Sequence, residues 1–232
     1  MPLALYCVKI KMMCKRINII LLLFAWILYS PIIMAQKKEI ILPPPSLKGK
    51  ISLEEAIYKR RSQREFLLSP LTLEQVSQIL WAANGVTVKK DKLCYRSAPS
   101  AGALYPIEIY ALSKDGLFHY LPLEHKLEVI GEKDLREELS ISAWNQKFIA
   151  QAPLTIVLCG VYQRTTKKYG YRGIRYVHME AGHIAQNICL QATALDLASV
   201  TVGAFDDEQV KDLLSISDQQ EPLYIISVGY PE

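Results

Sequence analysis

Arg60-Arg61-Ser62-Gln63-Arg64-Glu65-Phe66 and, further on, Ala98-Pro99-Ser100-Ala101-Gly102-Ala103-Leu104-Tyr105-Pro106 are the stretches on which the reading of this chain turns. The first gathers three guanidinium groups and a hydroxyl, a donor set that suits a phosphate and a polyol chain because each guanidinium offers oxygen a rigid fork of N–H groups. The second is a loop of small residues closed by prolines, which lets a flat ring approach backbone that bulky side chains would shield. Taken alone, the basic run reads more simply as the solvated end of a helix, where cations sit favourably against the last carbonyls.

Around these stretches the pattern is that of a mixed α/β domain without repeats. Ser52-Leu53-Glu54-Glu55 is a capping box opening a helix through about Arg61, and Thr72-Leu73-Glu74-Gln75 opens a second that stops at Asn84-Gly85. Ile107 to Leu112 and Leu117 to Leu121 read as strands around an Asp115-Gly116 turn, with a further short strand near Leu127 to Ile130. The unbroken apolar run Leu154 to Val161 predicts a strand buried on both faces. A long helix follows from about Ile174 to Leu197, on which Val177, Ala181, Ile184, Ile188, Ala192 and Leu195 recur at helical spacing, widened by Ala185 and Cys189. A helix over Asp207 to Leu214 and a last strand over Leu223 to Val228 close the pattern. Helices and strands that do not alternate regularly point to an α+β fold.

The N-terminal part reads differently. Lys15-Arg16 precedes an apolar run from Ile17 through Ile33, and Ile33-Met34-Ala35 precedes Gln36, which is the pattern of a secretory leader cleaved after residue 35. An uncleaved run would serve as a membrane anchor, although Asn18, Ser30 and Pro31 interrupt it short of a clean span. Translation from Met12 or Met13 would give a more ordinary leader. The expected division is therefore a leader over 1–35, a Pro-rich tether over 36–50 around Pro43-Pro44-Pro45, and one domain over 51–232, exported to a periplasm. Removing the leader's four basic residues from the 27 in the chain leaves 23 against 23 acidic ones. The apparent basicity belongs to the leader and gives no reason to expect nucleic acid.

Other chemistry is poorly supported. His178 and His183 stand five residues apart, about 140° around a helix, whereas a zinc-binding pair needs one face. His178 and Glu180 match half of a zinc deaminase signature, but no Pro-Cys-x-x-Cys follows. Cys94, Cys159 and Cys189 form neither a disulfide framework nor a metal-ligand spacing, and the last two lie in apolar runs that suit a core. Ser100 has no base adjacent in sequence, and there is no Gly-x-Gly-x-x-Gly or P-loop.

Arg-Arg-Ser-x-Arg at 60–64, Pro-Ser-Ala-Gly-Ala-Leu-Tyr-Pro at 99–106, Glu180-Ala181-Gly182-His183-Ile184-Ala185-Gln186-Asn187 and Val202-Gly203-Ala204-Phe205-Asp206 together resemble the nitroreductase-like flavoproteins, in the same order along the chain. Within them the chain is most similar to the SagB/ThcOx-type dehydrogenases, whose best-known members oxidise azoline rings in peptides to azoles. The resemblance runs from about Ser52 to Pro231. It implies an intertwined homodimer, built on a mixed central sheet flanked by helices, with FMN at the interface. Arg60, Arg61, Ser62 and Arg64 would hold the phosphate and ribityl chain. Pro99, Ser100, Ala101 and Gly102 would meet the flavin from the partner subunit, and Gly203 and Ala204 would lie at the reactive edge of the ring.

Two departures stand out. Relatives often carry Lys or Arg after the last strand to complete the phosphate site, where this chain has Tyr230-Pro231-Glu232, so Arg172 or Arg175 would substitute. Asp196 replaces a glycine after the central helix. With the flavin carrying the hydride, no separate catalytic residue is expected. The rival readings are an NAD(P)H-dependent reductase of nitro compounds or quinones and a flavin-binding protein without turnover. Partners would be a second copy, a small-molecule or peptide substrate, and a redox partner.

Overall fold

The computed structural model describes residues 38–90 and 93–232. The expected leader, its cleavage point and the first residues of the tether lie outside them. Within the expected tether, residues 39–46 are bound to the domain, while 47–50 are exposed. β1 (Glu39–Ile41) pairs antiparallel with a strand nearly ninety residues on, Glu39 opposite Glu128, and Leu42 is buried. The prolines beyond it are strapped down as well. Ser77 Oγ donates to Pro43 O at 2.5 Å, and Ser46 and Gln78 exchange hydrogen bonds of 2.8 and 3.1 Å. An edge strand of three residues has no periodicity of its own to read; it exists because a partner edge satisfies its backbone.

The two predicted capping boxes start their helices where expected. α1 (Leu53–Lys59) is capped by Ser52 Oγ, which accepts from Glu55 N–H at 3.1 Å, and it stops short of Arg61 because Arg60 is already extended. After β2 (Phe66–Leu67), α2 (Leu73–Asn84) carries a reciprocal cap in which Thr72 and Gln75 bond each other's backbone. β3 (Val86–Lys90) and β4 (Leu93–Arg96) form a separate hairpin, illegible in a polar, lysine-rich stretch. The predicted meander is present as β5 (Ile107–Ser113), β6 (Gly116–Leu121) and β7 (Lys126–Gly131). Two short helices, α3 (Arg136–Ser142) and α4 (Phe148–Gln151), lead into β8 (Leu154–Gly160). Then come α5 (Tyr162–Tyr169), α6 (Arg172–Ala194), β9 (Ala198–Val202), α7 (Asp207–Leu214) and β10 (Glu221–Pro231). Neither α5 nor β9 is anticipated, and β10 extends the expected strand at both ends.

The strands run β1-β7-β6-β5-β8-β10 in antiparallel order, with β9 on the far side of β10 and β2 pairing with its last residues. One parallel bridge joins Ser62 to Ser199. All seven residues of β8 are buried, as the apolar run predicts. Ile156 and Leu158 face a layer made by α2 and α6, whereas Val157 and Cys159 face α3, α4 and α7. Helices on both faces bury the sheet, and α6 contributes its predicted stripe, from Val177 to Ala192, to the larger core.

Asp196 resolves the second departure. It adopts the left-handed conformation, φ 57°, that a glycine would take there. Its N–H bonds Thr193 O at 3.1 Å while Leu197 N–H reaches back to Ala192 O at 2.9 Å, the paired closure of a Schellman turn. Among non-glycine residues Asp tolerates this geometry comparatively well, so the turn survives the substitution. Among the described residues no helix is long and apolar enough to cross a membrane.

Candidate active site

The arginine loop is held by its backbone and open at its side chains. Arg60 N–H caps α1 on Ala56 O at 3.0 Å, Gln63 N–H donates to Ser199 O at 3.0 Å, and Phe66 and Leu67 pair with the end of β10. Between these anchors Arg61, Ser62 and Arg64 are exposed and Arg60 is half-buried. Arg61 turns one nitrogen back onto Tyr58 O and Arg60 O, each at 2.7 Å, and the Arg64 guanidinium stands 5.8 Å over the Phe148 ring. None of the three arginines has a carboxylate partner among the described residues. Three positive groups on a fixed backbone without a counter-charge fit a phosphate dianion.

The bridge at Ser199 also sets the distance to the second predicted element. β9 leaves Ser199 and runs to Val202, so at some 3.3 Å per residue Gly203 and Ala204 lie up to about 13 and 17 Å further along. That separation suits a phosphorylated polyol chain ending in a ring. Both residues are exposed, and a Cβ at Gly203 would meet nothing nearer than the Tyr224 ring at 3.9 Å. The backbone at Gly203 is therefore open to an approaching group.

A support for this edge was not legible in sequence. Gln146 Nε2 donates to Ala204 O at 3.0 Å and to Ala143 O at 2.9 Å, and Asp206 N–H donates to Ser142 O at 2.9 Å. Trp144 and Asn145, between these anchors, both have left-handed backbone, φ 60° and 59°, and the indole is 65 % exposed. Consecutive non-glycine residues in this region hold strain that only tertiary contacts maintain.

Pro99, Ser100, Ala101 and Gly102 lie elsewhere. Gly102 has φ +65°, and a Cβ there would fall 2.7 Å from Tyr169 Oη and 2.9 Å from Lys168 Nζ, so the loop rests directly on the end of α5. Ser100 Oγ accepts from Tyr105 N–H at 2.9 Å, and the Arg96 guanidinium lies 4.3 Å over the Tyr105 ring. Beneath the loop Glu180 is buried. Desolvation pushes its carboxyl up to about 7, opposed by a hydrogen bond from Ser100 and by Arg96. Lys168, Tyr169, Arg96 and Gln146 carry no recognisable spacing relative to the predicted residues; contacts across the fold bring the first three to this loop and Gln146 to Ala204.

In one chain the two halves face different levels of α6. Glu180 meets Ser100, while Cys189 meets Ser199 and feels Arg60. Nine residues of helix separate them, about 14 Å along the axis. Arg175 is farther still, fourteen residues or about 21 Å from Cys189, on an exposed end of α6 with Tyr171, Arg172 and His178. The structure therefore joins Arg60, Arg61, Ser62 and Arg64 to Gly203 and Ala204 through β9, but brings neither the Pro99–Gly102 loop nor Arg175 to them. His178 Nε2 pairs with Tyr162 Oη at 2.6 Å, and Cys159 and Cys189 are buried, their thiols pushed up by desolvation.

A family model described as the nitroreductase family matches residues 57–230. A protein of Methanocaldococcus jannaschii named as a nitroreductase is 44 % identical over 202 residues, 84 % of this chain and 98 % of its own length. The microcin B17-processing protein McbC of Escherichia coli is 29 % identical over 135 residues, 53 % of this chain and 50 % of McbC. Among solved structures, one named as a nitroreductase from Ralstonia eutropha superposes with a TM-score of 0.75 at 28 % identity, covering 86 % of this chain and 92 % of the other. The Escherichia coli microcin synthetase McbBCD complex, with truncated pro-MccB17 bound, shares the fold with a TM-score of 0.64 at 22 % identity, covering 88 % of this chain and 83 % of the matched one.

Proposed function

Because the chain belongs to the nitroreductase family and is a flavin oxidoreductase, we propose that it is an FMN-dependent dehydrogenase, homodimeric and exported, that oxidises an azoline ring carried on a peptide. The placement of Lys168 Nζ and Tyr169 Oη against Gly102 carries this reading. Conversion of an azoline to an azole removes two hydrogens, one as hydride and one as a proton. Bound FMN supplies the hydride acceptor. The proton needs a group that can take it at the ring, and Lys168 or Tyr169, in its deprotonated form, would do so from the end of α5 against the loop predicted to face the flavin. Likeness to McbC, named for microcin B17 processing, supports a peptide substrate.

Arg60, Arg61, Ser62 and Arg64 would hold the phosphate, and Gly203 and Ala204 the ring edge. A second copy supports the rest. Within one chain the Pro99–Gly102 loop is displaced from the arginine loop along α6, and a two-fold partner would supply the missing half twice. The exposed face of α6, with Met179, Gly182, His183 and Gln186, offers a surface for that partner. Export rests on the apolar run before Ala35, and the N-terminus of protein from cell fractions tests it.

The deciding experiment mixes purified protein anaerobically with an azoline-containing peptide and, separately, with NADH and NADPH. Bleaching by the peptide alone, lost in Lys168→Ala and Tyr169→Phe, supports the dehydrogenase. Rapid bleaching by either nicotinamide supports the second reading, a nitro or quinone reductase, which the names of the similar proteins favour.

A further inference from the structure

Three side chains of α5 reach the loop over 99–106, and the first of them has no part in the proton chemistry above. Arg164 Nη1 donates to Tyr105 O at 3.1 Å, while its Nη2 donates to Glu108. One guanidinium thus spans the end of the loop and the start of β5. The carboxylate it meets is itself fixed. Glu108 shares a 2.8 Å hydrogen bond with His119 Nε2 from β6, and that imidazole stacks on Tyr110 with ring centroids 4.8 Å apart.

Arg164 and Lys168 are four residues apart and so share one face of α5. That face is turned to the loop: Arg164 bonds Tyr105 O, and Lys168 Nζ stands 2.9 Å from where a Cβ on Gly102 would lie. Lys168 Nζ is also 5.3 Å over the Tyr169 ring, so the two groups move together. A different face of α5 packs on α6. Thr165 is buried there, and a Cβ on Gly173 would fall 2.8 Å from Thr166 N. A helix pressed this closely along one side keeps the freedom to roll about the contact. Among the described residues, the side-chain hydrogen bonds from α5 to the loop and to β5 are those of Arg164.

We infer that Arg164 is a positioning residue: forked between Tyr105 O and Glu108, its guanidinium fixes the roll of α5, and with it the approach of Lys168 Nζ and Tyr169 Oη to Gly102. Its catalytic consequence rests on the reading of Lys168 or Tyr169 as the group that takes the azoline proton. Arg164 takes no proton itself, because a guanidinium stays charged. A lysine in its place keeps the charge beside Glu108 but has no rigid fork to hold a carboxylate and a carbonyl in one fixed geometry.

Arg164→Lys and Arg164→Ala therefore separate positioning from a mere contribution to stability. In both variants kcat for an azoline-containing peptide should fall roughly a hundredfold, the loss expected when a reacting group is displaced by about an ångström, while KM stays within about twofold. FMN affinity, which the reading above assigns to the arginine loop, should not change. Hydrogen exchange of the purified proteins without peptide reads the geometry independently of turnover. Peptides covering 99–105 and 162–169 should exchange roughly twofold to tenfold faster in both variants, the change expected for one lost hydrogen bond, while peptides from β8 keep wild-type protection. Wild-type exchange in both segments, or full kcat in Arg164→Lys, overturns the inference. Faster exchange confined to those segments, in a protein whose flavin the azoline peptide does not bleach, supports the clamp on α5 and overturns the dehydrogenase reading instead.

Discussion

Arg60 and Arg64 matter because no carboxylate among the described residues pairs with them. A surface arginine usually meets a carboxylate or lies along apolar surface, yet here backbone anchors on both sides hold the loop while the charges stay open. Arg60→Ala or Arg64→Ala should weaken FMN retention by about 1.5 to 3 kcal/mol, roughly ten-fold to over a hundred-fold, without lowering the melting temperature of the flavin-free protein. Fluorescence titration with FMN checks this, and unchanged affinity would remove the phosphate assignment. Glu108 is the contrasting case. Burial pushes its carboxyl up, but His119 at 2.8 Å and Arg164 outweigh that and hold it at about 2. Because the folded value lies below the ordinary one, the stabilisation is full above about 4.5 and is lost as pH falls through about 2. Glu108→Gln should cost on the order of 2 kcal/mol at pH 7 and distinctly less at pH 3, read from urea denaturation at both.

At the scale of elements, α6 carries the core and divides the candidate site, and its end is an accommodated defect. Asp196 holds a left-handed turn that glycine would adopt without strain, and its negative charge stands at the negative end of the helix dipole. Attraction to Lys59 offsets this only at an exposed surface. Asp196→Gly should stabilise the protein by about 0.5 to 1 kcal/mol, or roughly 1 to 4 °C in melting temperature. A fall in melting temperature would show that the Asp side chain contributes more than its backbone strain costs. Elements with a strong local signal were readable in advance: β8 by its unbroken apolar run, α1 and α2 by their capping boxes, and α6 by its stripe. β1, β9 and the β3–β4 hairpin were not. β1 and β9 are short and their backbones are satisfied by partners far along the chain, while the β3–β4 hairpin is local but polar, lysine-rich and irregular in register.

For the whole molecule, the separation of the two site halves along α6 leads to a stoichiometric expectation. The protein should sediment as a dimer at micromolar concentration and bind one FMN per chain, and a monomer holding FMN tightly would contradict the shared site. The sequence alone determined the fold class, the membership suggested by four ordered motifs, and the arginine and glycine residues that suit a phosphate and a flat ring. Those properties are local, because capping, periodicity and donor chemistry act over a few residues. Only the tertiary structure decided that Ser62 meets β9, that Gln146 braces Ala204, that Lys168 and Tyr169 rest on Gly102, and that Glu180 lies buried behind Ser100. Each of these joins residues far apart in the chain, through sheet pairing and helix packing that bury both ends at once, and the free energy of such contacts exists only when the whole core has formed.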